Sequence, residues 1–240
     1  MKLSAVDVAL MGVFAALQAL LSVLPFTITI GVSGQITLGV IGGPLIGILL
    51  GPIIGGFSVL IGSLIGVFVN PAGAFFGVFS VIPPFFGAFA AGCVKIKRAY
   101  IAGAVILASL LVFYAHPYGR EAYIFPWLHI VAMIIAFSPI AMIAGSTFRA
   151  SQTVKPVLGI IVASFIGIMA DHITGSAMGI WYFSPFLTPE IWYGIMLVYP
   201  VERMVALALT CLVAIPVYYS LRTAGLIDSS KQRPSQPLDS

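Results

Sequence analysis

Long uninterrupted apolar stretches constrain this chain more than any other feature of its sequence. Residues 101–114 and 130–148 carry no charged side chain. Only 8% of the 240 residues are charged, whereas a soluble domain has about a quarter, so lipid must solvate most of the surface. The stretches lack the two-residue alternation of barrel strands. Because backbone facing lipid must satisfy its own hydrogen bonds, the sequence predicts an all-α integral membrane protein.

The apolar runs also predict how many helices cross the membrane, since one span needs about 20 apolar residues. Runs and Gly/Pro breakers delimit eight segments: 4–24, 36–50, 52–69, 75–93, 99–115, 126–148, 156–178 and 195–221. The count falls to six or seven if 36–69 is re-entrant or if 99–115 is not a span. We therefore expect a compact bundle of six to eight transmembrane helices within one domain, 1–225. The polar residues 226–240 predict a disordered cytoplasmic tail.

The cations predict the orientation of the bundle. With the N-terminus inside, nine cations fall on the cytoplasmic side: Lys2, Lys95, Lys97, Arg98, Arg149, Lys155, Arg222, Lys231 and Arg233. Only Arg120 falls outside, and Arg203 lies within a span. This asymmetry is typical of a multi-pass cell-membrane protein with both termini in the cytoplasm. Since the net charge of +4 is spread over short loops, it does not indicate nucleic-acid binding.

Two rows of small residues predict close helix contacts. The first segment carries Ala5, Ala9, Gly12, Ala16 and Ala19. At about 100° per residue they fall within roughly 80° of each other and form a smooth strip. Such a strip suits packing within the fold or against a partner subunit. A second row, Gly43, Gly47, Gly51 and Gly55, favours tight helix packing over a pore lining.

Polar residues inside the apolar segments are the candidate binding groups, because they are costly in a membrane and usually face the bundle interior. They are Asn70, His129, Asp171, His172, Glu202 and Arg203. At 1.5 Å per residue, four segments place them roughly 22–30 Å from the cytoplasmic ends. This clustering in the outer third predicts a pocket open to the outside. The alternative, in which Asp171 or Glu202 pairs with Arg203 to pin two helices, stays equally open.

The outer loops add two further candidates. Residues 25–35 alternate small polar and apolar side chains and end at Gln35, as expected of a lid over the pocket or of a plain connector. Trp181 lies in an aromatic outer loop, where a membrane-interface belt is the leading interpretation. Stacking of Trp181 on a ligand is the second interpretation.

The sequence lacks the motifs of common enzyme classes. HExxH, GxSxG and the phosphate-binding GxxxxGK[ST] are absent, so the chain is not expected to be an enzyme or to hydrolyse ATP. Its two cysteines, Cys93 and Cys211, stand alone in apolar runs. We therefore expect no disulfide, metal site or cofactor.

Three stretches in order resemble the S components of energy-coupling-factor (ECF) transporters, over roughly half the chain. The first segment resembles their first helix, with its AxxxA motif at Ala15 and Ala19. Residues 50–79 resemble their GP turn, glycine-rich helix and short loop, and YPVER at 199–203 resembles the start of their last helix. The chain departs from them in adding the pair 99–148 and in carrying Ser63 where many relatives have Asp.

The resemblance implies a substrate-capturing importer subunit. Such a subunit binds a vitamin or related small molecule from outside and docks on a transmembrane coupling protein driven by two ATPase subunits. Docking would use Ala9, Gly12, Ala15, Ala16 and Ala19. The alternatives are a self-sufficient secondary transporter, which needs ion-coupling groups near the midplane, and a membrane enzyme or scaffold. An enzyme is favoured if Asp171, His172 and Glu202 converge on a metal, and a scaffold if no cavity exists.

Overall fold

The computed structural model describes residues 4–24, 27–28, 36–148 and 155–227, and every predicted segment contains helix. The helices are α1 Ala5–Val23, α2 Gly39–Leu50, α3 Pro52–Val69, α4 Ile82–Lys95, α5 Ala99–Ala115, α6 Pro117–Glu121, α7 Trp127–Phe137, α8 Pro139–Thr147, α9 Lys155–Tyr182 and α10 Pro189–Thr223. Short 3₁₀ helices span Pro71–Gly73 and Gly77–Val81. Two-residue strands, β1 Thr27–Ile28 and β2 Ile36–Thr37, pair antiparallel. The predicted all-α class is confirmed.

Local sequence explains where the first helices begin and end. Ser4 and Asp7 form a capping box at the start of α1, which satisfies two otherwise free backbone donors. Gly51 ends α2 with φ +83°, a conformation that glycine adopts without strain. Pro52 then opens α3 at the first helical position, where its missing N–H costs nothing. The predicted Gly51-Pro52 turn is therefore confirmed.

Within the described residues, five helices are long and apolar enough to cross a membrane: Ala5–Val23, Pro52–Val69, Gly77–Lys95, Pro156–Tyr182 and Pro189–Thr223. The pair α7 and α8, bent by 68° between Phe137 and Pro139, makes a sixth if it is one broken span. Helices α2 and α5 are apolar but shorter, with 12 and 17 residues. The chain is thus a helical membrane protein with five or six helices of spanning length.

Helices α2 and α9 form the centre of the bundle. Every residue of 39–49 is buried, and α9 packs on α2, α4, α5, α7, α8 and α10. Glycines permit this closeness: a side chain at Gly47 would collide with the Ala88 carbonyl, and one at Gly55 with the backbone of Gly47. The predicted role in tight packing is therefore confirmed for Gly43, Gly47 and Gly55, whereas Gly51 has no atom within 4 Å of an added side chain and serves the turn.

One end of the bundle, which we name the closed end, gathers the turns 50–52 and 95–99, the C-termini of α8 and α10, and the start of α9. Lys95 Nζ donates to the Leu49 carbonyl at 2.8 Å. A side chain at Gly92 would strike the backbone of Gly51 and Pro52. Tyr218 Oη donates to the Phe148 carbonyl at 3.2 Å. Close contacts to the backbone therefore hold the helices together at this end.

Candidate functional site

A cavity of about 420 Å³ lies at the opposite end, which we name the cavity end. Its wall combines the C-terminal parts of α1, α3 and α9 with the N-terminal parts of α2, α4 and α10, and with the loop 73–76. These helix ends face one another because their other ends meet at the closed end. The volume is within the range of small-molecule sites.

Most of the lining is apolar, with a small set of polar groups. The polar members are Gln18, Ser22, Ser63, Asn70, Ser80, Asp171, His172, Ser176 and Arg203. Aromatic members include Phe75, Phe76, Phe183 and Trp192. An apolar enclosure with a few polar groups is the usual composition of a site that binds one small organic molecule.

Four residues predicted from the sequence line this cavity: Asn70, Asp171, His172 and Arg203. Asn70 ends α3, Asp171 and His172 lie in the second half of α9, and Arg203 lies in the first half of α10. Arg203 is only 7% exposed and interacts electrostatically with Asp171 and with Glu202. The bundle therefore brings together polar groups that are more than 100 residues apart in the sequence.

His129 lies directly behind the cavity wall. Its Nε2 is 2.9 Å from Nδ1 of His172, and the two rings stack with centroids 5.0 Å apart. Tyr199 stacks on His129 at 5.2 Å, and its hydroxyl donates to the Phe125 carbonyl at 3.0 Å. His129 is fully buried and is not among the lining residues. It therefore orients His172 and does not itself face the cavity.

Three other predicted site residues do not contribute to the described cavity. Glu202 is half-buried but off the lining, because it points about 100° away from its neighbour Arg203. Trp181 is 53% exposed, and its Nε1 donates to the Val112 carbonyl at 3.0 Å. Trp181 is thus a surface residue at the end of α9. Gln35 and most of the predicted lid 25–35 lie outside the described residues.

Gln18 is the main polar lining residue that the sequence analysis missed. It is 1% exposed, and its Nε2 approaches Ser63 Oγ at 3.2 Å and the Gly39 carbonyl at 3.4 Å. Its Oε1 has no hydrogen-bond partner among the described residues. A signal was available, since Gln18 is a strongly polar residue in the middle of an apolar helix. The search for ionisable residues passed over it.

Trp192 was missed for a related reason. It is 4% exposed and lies on the buried side of α10 with Tyr199 and Arg203. Within the described part of the chain its Nε1 has no hydrogen-bond partner. The spacing of seven and eleven residues to Tyr199 and Arg203 places the three on one helix face. That periodicity could have separated Trp192 from the surface residue Trp181.

The small-residue strip of α1 faces away from the bundle. Ala5, Ala9, Gly12 and Ala16 are exposed, and no atom lies within 4 Å of a side chain placed at Gly12. Helix α1 packs on α3 and α2 through its other side. Ala19 is half-buried.

Ala15 requires a correction to the predicted docking surface. It is 4% exposed, and its carbonyl lies against Gly62 of α3. The AxxxA pair formed by Ala15 and Ala19 is therefore split, with Ala15 inside the α1–α3 contact. A helix turns about 100° per residue, so adjacent Ala15 and Ala16 lie on different sides of α1.

Comparison with known proteins gives one relative without an assigned activity. An uncharacterized protein of Methanocaldococcus jannaschii is 29% identical to this chain over 128 residues. The match covers 53% of this chain and 42% of the relative, so the chain matches less than half of the relative's length. No protein-family model matches the chain, and no solved structure matches it.

Proposed function

We propose that this protein is the substrate-capturing S component of an ECF-type importer in the cell membrane. The observation that carries the proposal is the cavity of about 420 Å³ with its buried polar groups. A cavity confined to one end of a helical bundle suits capture from one side of the membrane. A self-sufficient secondary transporter would instead need ion-coupling groups near the membrane midplane.

The charges at the two ends support an outward-facing cavity. Among the described residues, Lys95, Lys97, Arg98 and Arg222 lie at the closed end, whereas Arg120 lies at the cavity end beside Glu121. Cytoplasmic loops carry an excess of Lys and Arg. We therefore assign the closed end and both termini to the cytoplasm. Lys2, Arg149, Lys231 and Arg233 lie outside the described residues.

The proposed bundle has six to eight membrane segments, two of which, α2 and α5, are shorter than a full span. Helix α2 needs no lipid-facing length, because residues 39–49 are enclosed by protein. Of the extra helices, α5, α7 and α8 pack on α9, and α7 and the turn before it supply His129 and Phe125 behind the cavity wall. In this proposal they support the binding site without forming a separate unit.

Docking would use the outward face of α1. Its exposed small side chains allow a partner helix to approach closely. The sequence contains no nucleotide-binding motif, so the partner would supply the energy: a transmembrane coupling protein with two ATPase subunits. The surface for this purpose consists of Ala5, Ala9, Gly12, Ala16 and Ala19, without Ala15.

Mass spectrometry of the purified protein tests the proposed function. We expect the chain, purified in detergent from its own membranes, to retain a vitamin-like or related small molecule at near-equal molar amount. Asp171→Asn should lose that molecule while remaining folded. Co-purification with a coupling protein and two ATPase subunits should accompany it. A folded protein that retains no small molecule and associates with no ATPase would overturn the proposal.

A further inference from the structure

Two opposite charges line the floor of the cavity without forming a bonded pair. Asp171 lies 11 residues before the end of α9, and Arg203 lies 14 residues after the start of α10. At 1.5 Å per residue, both are about 16–21 Å below the ends of their helices. Their side chains interact electrostatically, Arg203 also interacts with Glu202, and the Arg203 Nε has no hydrogen-bond partner among the described residues.

Such an arrangement is costly unless a ligand completes it. A guanidinium carries five N–H donors, and a carboxylate is an acceptor through both oxygens. Buried charges are normally paired and hydrogen-bonded, because lost hydration is not otherwise replaced. Arg203 is 93% buried, and its Nε has no partner among the described residues. Arg203 therefore keeps hydrogen-bonding capacity available to an occupant of the cavity, and the Asp171 carboxylate lines the same cavity.

The signs of the two charges restrict that occupant. A simple anion would satisfy Arg203 but would be repelled by Asp171, and a simple cation would have the reverse problem. A molecule with both a carboxylate and an ammonium group satisfies both residues, and because it carries no net charge it leaves the charge of the cavity unchanged. Charge-assisted hydrogen bonds to the two groups are also the strongest polar contacts available here.

The remaining lining residues indicate the chemistry of the uncharged part of the ligand. Towards the opening, Phe76 contacts Tyr182 and Phe183 with ring centroids 5.6 and 5.7 Å apart. Trp192 and Ile195 line the α10 side. These surfaces favour an apolar or aromatic group. The charged groups of the ligand would thus point to the floor while its apolar body points to the opening.

From this geometry we propose that the cargo is an amino-acid-like zwitterion with an apolar side chain. Its carboxylate binds Arg203 and its ammonium group binds Asp171. This assignment rests on the proposed function, because it takes the cavity to be the cargo site. It concerns the chemistry of the cargo and is independent of the coupling partner.

Three compounds with the same phenyl body test the proposal. L-Phenylalanine carries both charges, 3-phenylpropionate lacks the ammonium group, and 2-phenylethylamine lacks the carboxylate. We expect the purified full chain to bind L-phenylalanine at least tenfold more tightly than either analogue, measured by calorimetry. Asp171→Asn should remove most of the preference over 3-phenylpropionate, and Arg203→Lys should weaken L-phenylalanine binding about tenfold or more.

The outcomes separate this assignment from the proposed function. Equal or tighter binding of either analogue, or no binding of any of the three, overturns the zwitterion assignment. A retained molecule without an amine or a carboxylate would overturn it too, while leaving the importer proposal intact. Conversely, selective binding of L-phenylalanine by a chain that associates with no ATPase would support the assignment and contradict the importer proposal.

Discussion

Several glycines at the closed end of the bundle have closer surroundings than three glycines beside the cavity. At the closed end, a side chain added at Gly92 or Gly145 would strike a neighbouring backbone. At the cavity end, a side chain at Gly175 or Gly179 would have its nearest neighbours at 3.6 and 3.8 Å, and one at Gly194 would have none within 4 Å. At Gly92 and Gly145 the absence of a side chain thus allows close backbone contact, whereas Gly175, Gly179 and Gly194 leave space beside the cavity.

This difference explains how one bundle holds both a rigid base and an open site. Backbone contacts at the closed end fix the helix axes, so the helices can separate at the cavity end without loss of the core. The polar groups are divided in the same way: lysines and arginines surround the closed end, while Asp171, His172 and Arg203 lie within the cavity. Four experiments test this difference between the two ends of the bundle and the function proposed from it.

The largest expected effect is the all-or-none labelling of the two ends from opposite sides of the membrane. Ile96→Cys at the closed end should react with a membrane-impermeant maleimide only from the cytoplasm, because the cations lie at that end. Glu121→Cys at the cavity end should react only from outside. The unsubstituted chain is the control, since Cys93 is buried and Cys211 half-buried. The reverse pattern at either position would contradict the assigned orientation.

The second prediction concerns the outward face of α1, which belongs to neither end of the bundle. Ala16→Leu or Ala19→Leu should abolish association with the coupling protein and leave ligand binding intact, because a bulky side chain holds the two helices apart. Co-purification and calorimetry measure the two properties. Ala15→Leu is the matched control: Ala15 packs against α3, so this variant should lower folded yield. Parental levels of co-purification by the Ala16 and Ala19 variants would assign the strip to lipid contact.

The third effect distinguishes a binding site from a structural pin at the floor of the cavity. Asp171→Asn and Arg203→Ala should each weaken binding of the retained cargo about tenfold or more, since a charge-assisted hydrogen bond contributes about 1.5–3 kcal/mol. Folded yield should stay near the parental level. Glu190→Gln, at an exposed position outside the cavity, is the control and should bind normally.

A structural pin predicts a different result for the same variants. Removing one partner would strand the other charge in the bundle, so both single variants should misfold. Combining Asp171→Asn with Arg203→Met should then restore expression. Thermal unfolding and ligand affinity of the two single variants and the double variant decide between these interpretations.

The smallest expected effect is the change in the free energy of unfolding when glycine is replaced by alanine at one position at each end. Gly92→Ala should lower the free energy of unfolding by about 1–3 kcal/mol, because its methyl group meets the backbone of Pro52. Gly194→Ala should be neutral or stabilise the protein by up to about 1 kcal/mol, since alanine favours helix and no atom lies nearby. Thermal unfolding in one detergent measures both. Equal losses at the two positions would contradict the proposed difference in packing.

The sequence predicted the fold class well because a bilayer requires apolar runs of a set length, and such runs can be read directly along the chain. Each of the eight predicted segments contains helix, although the short helix α6, Pro117–Glu121, lies between two of them, and the Gly51-Pro52 turn is where glycine and proline chemistry places it. The structure describes two residues beyond the predicted domain boundary at residue 225, Leu226 and Ile227, and Ile227 is buried. The rest of the predicted tail, 228–240, lies outside the described residues.

The candidate site was predictable only in part. Depth along each helix indicated Asn70, Asp171, His172 and Arg203, since depth follows from counting residues. Which side of a helix faces the cavity depends on its rotation and on its neighbours, and neither is fixed by counting. Sequence analysis therefore included Trp181 and Glu202, which lie off the lining, and missed Trp192 and Gln18, which belong to it.

Hydropathy along the chain was sufficient to predict a helical membrane protein, the positions of its long apolar helices, and which of them carry costly polar groups. Hydropathy and helical rise depend only on consecutive residues, so both can be obtained from the amino-acid sequence. Only the tertiary structure decided that His129 supports His172 from behind and that Ala15 is buried while Ala16 is exposed. Those outcomes depend on helix rotation, close glycine contacts and the arrangement of distant segments, all of which arise when the helices pack together.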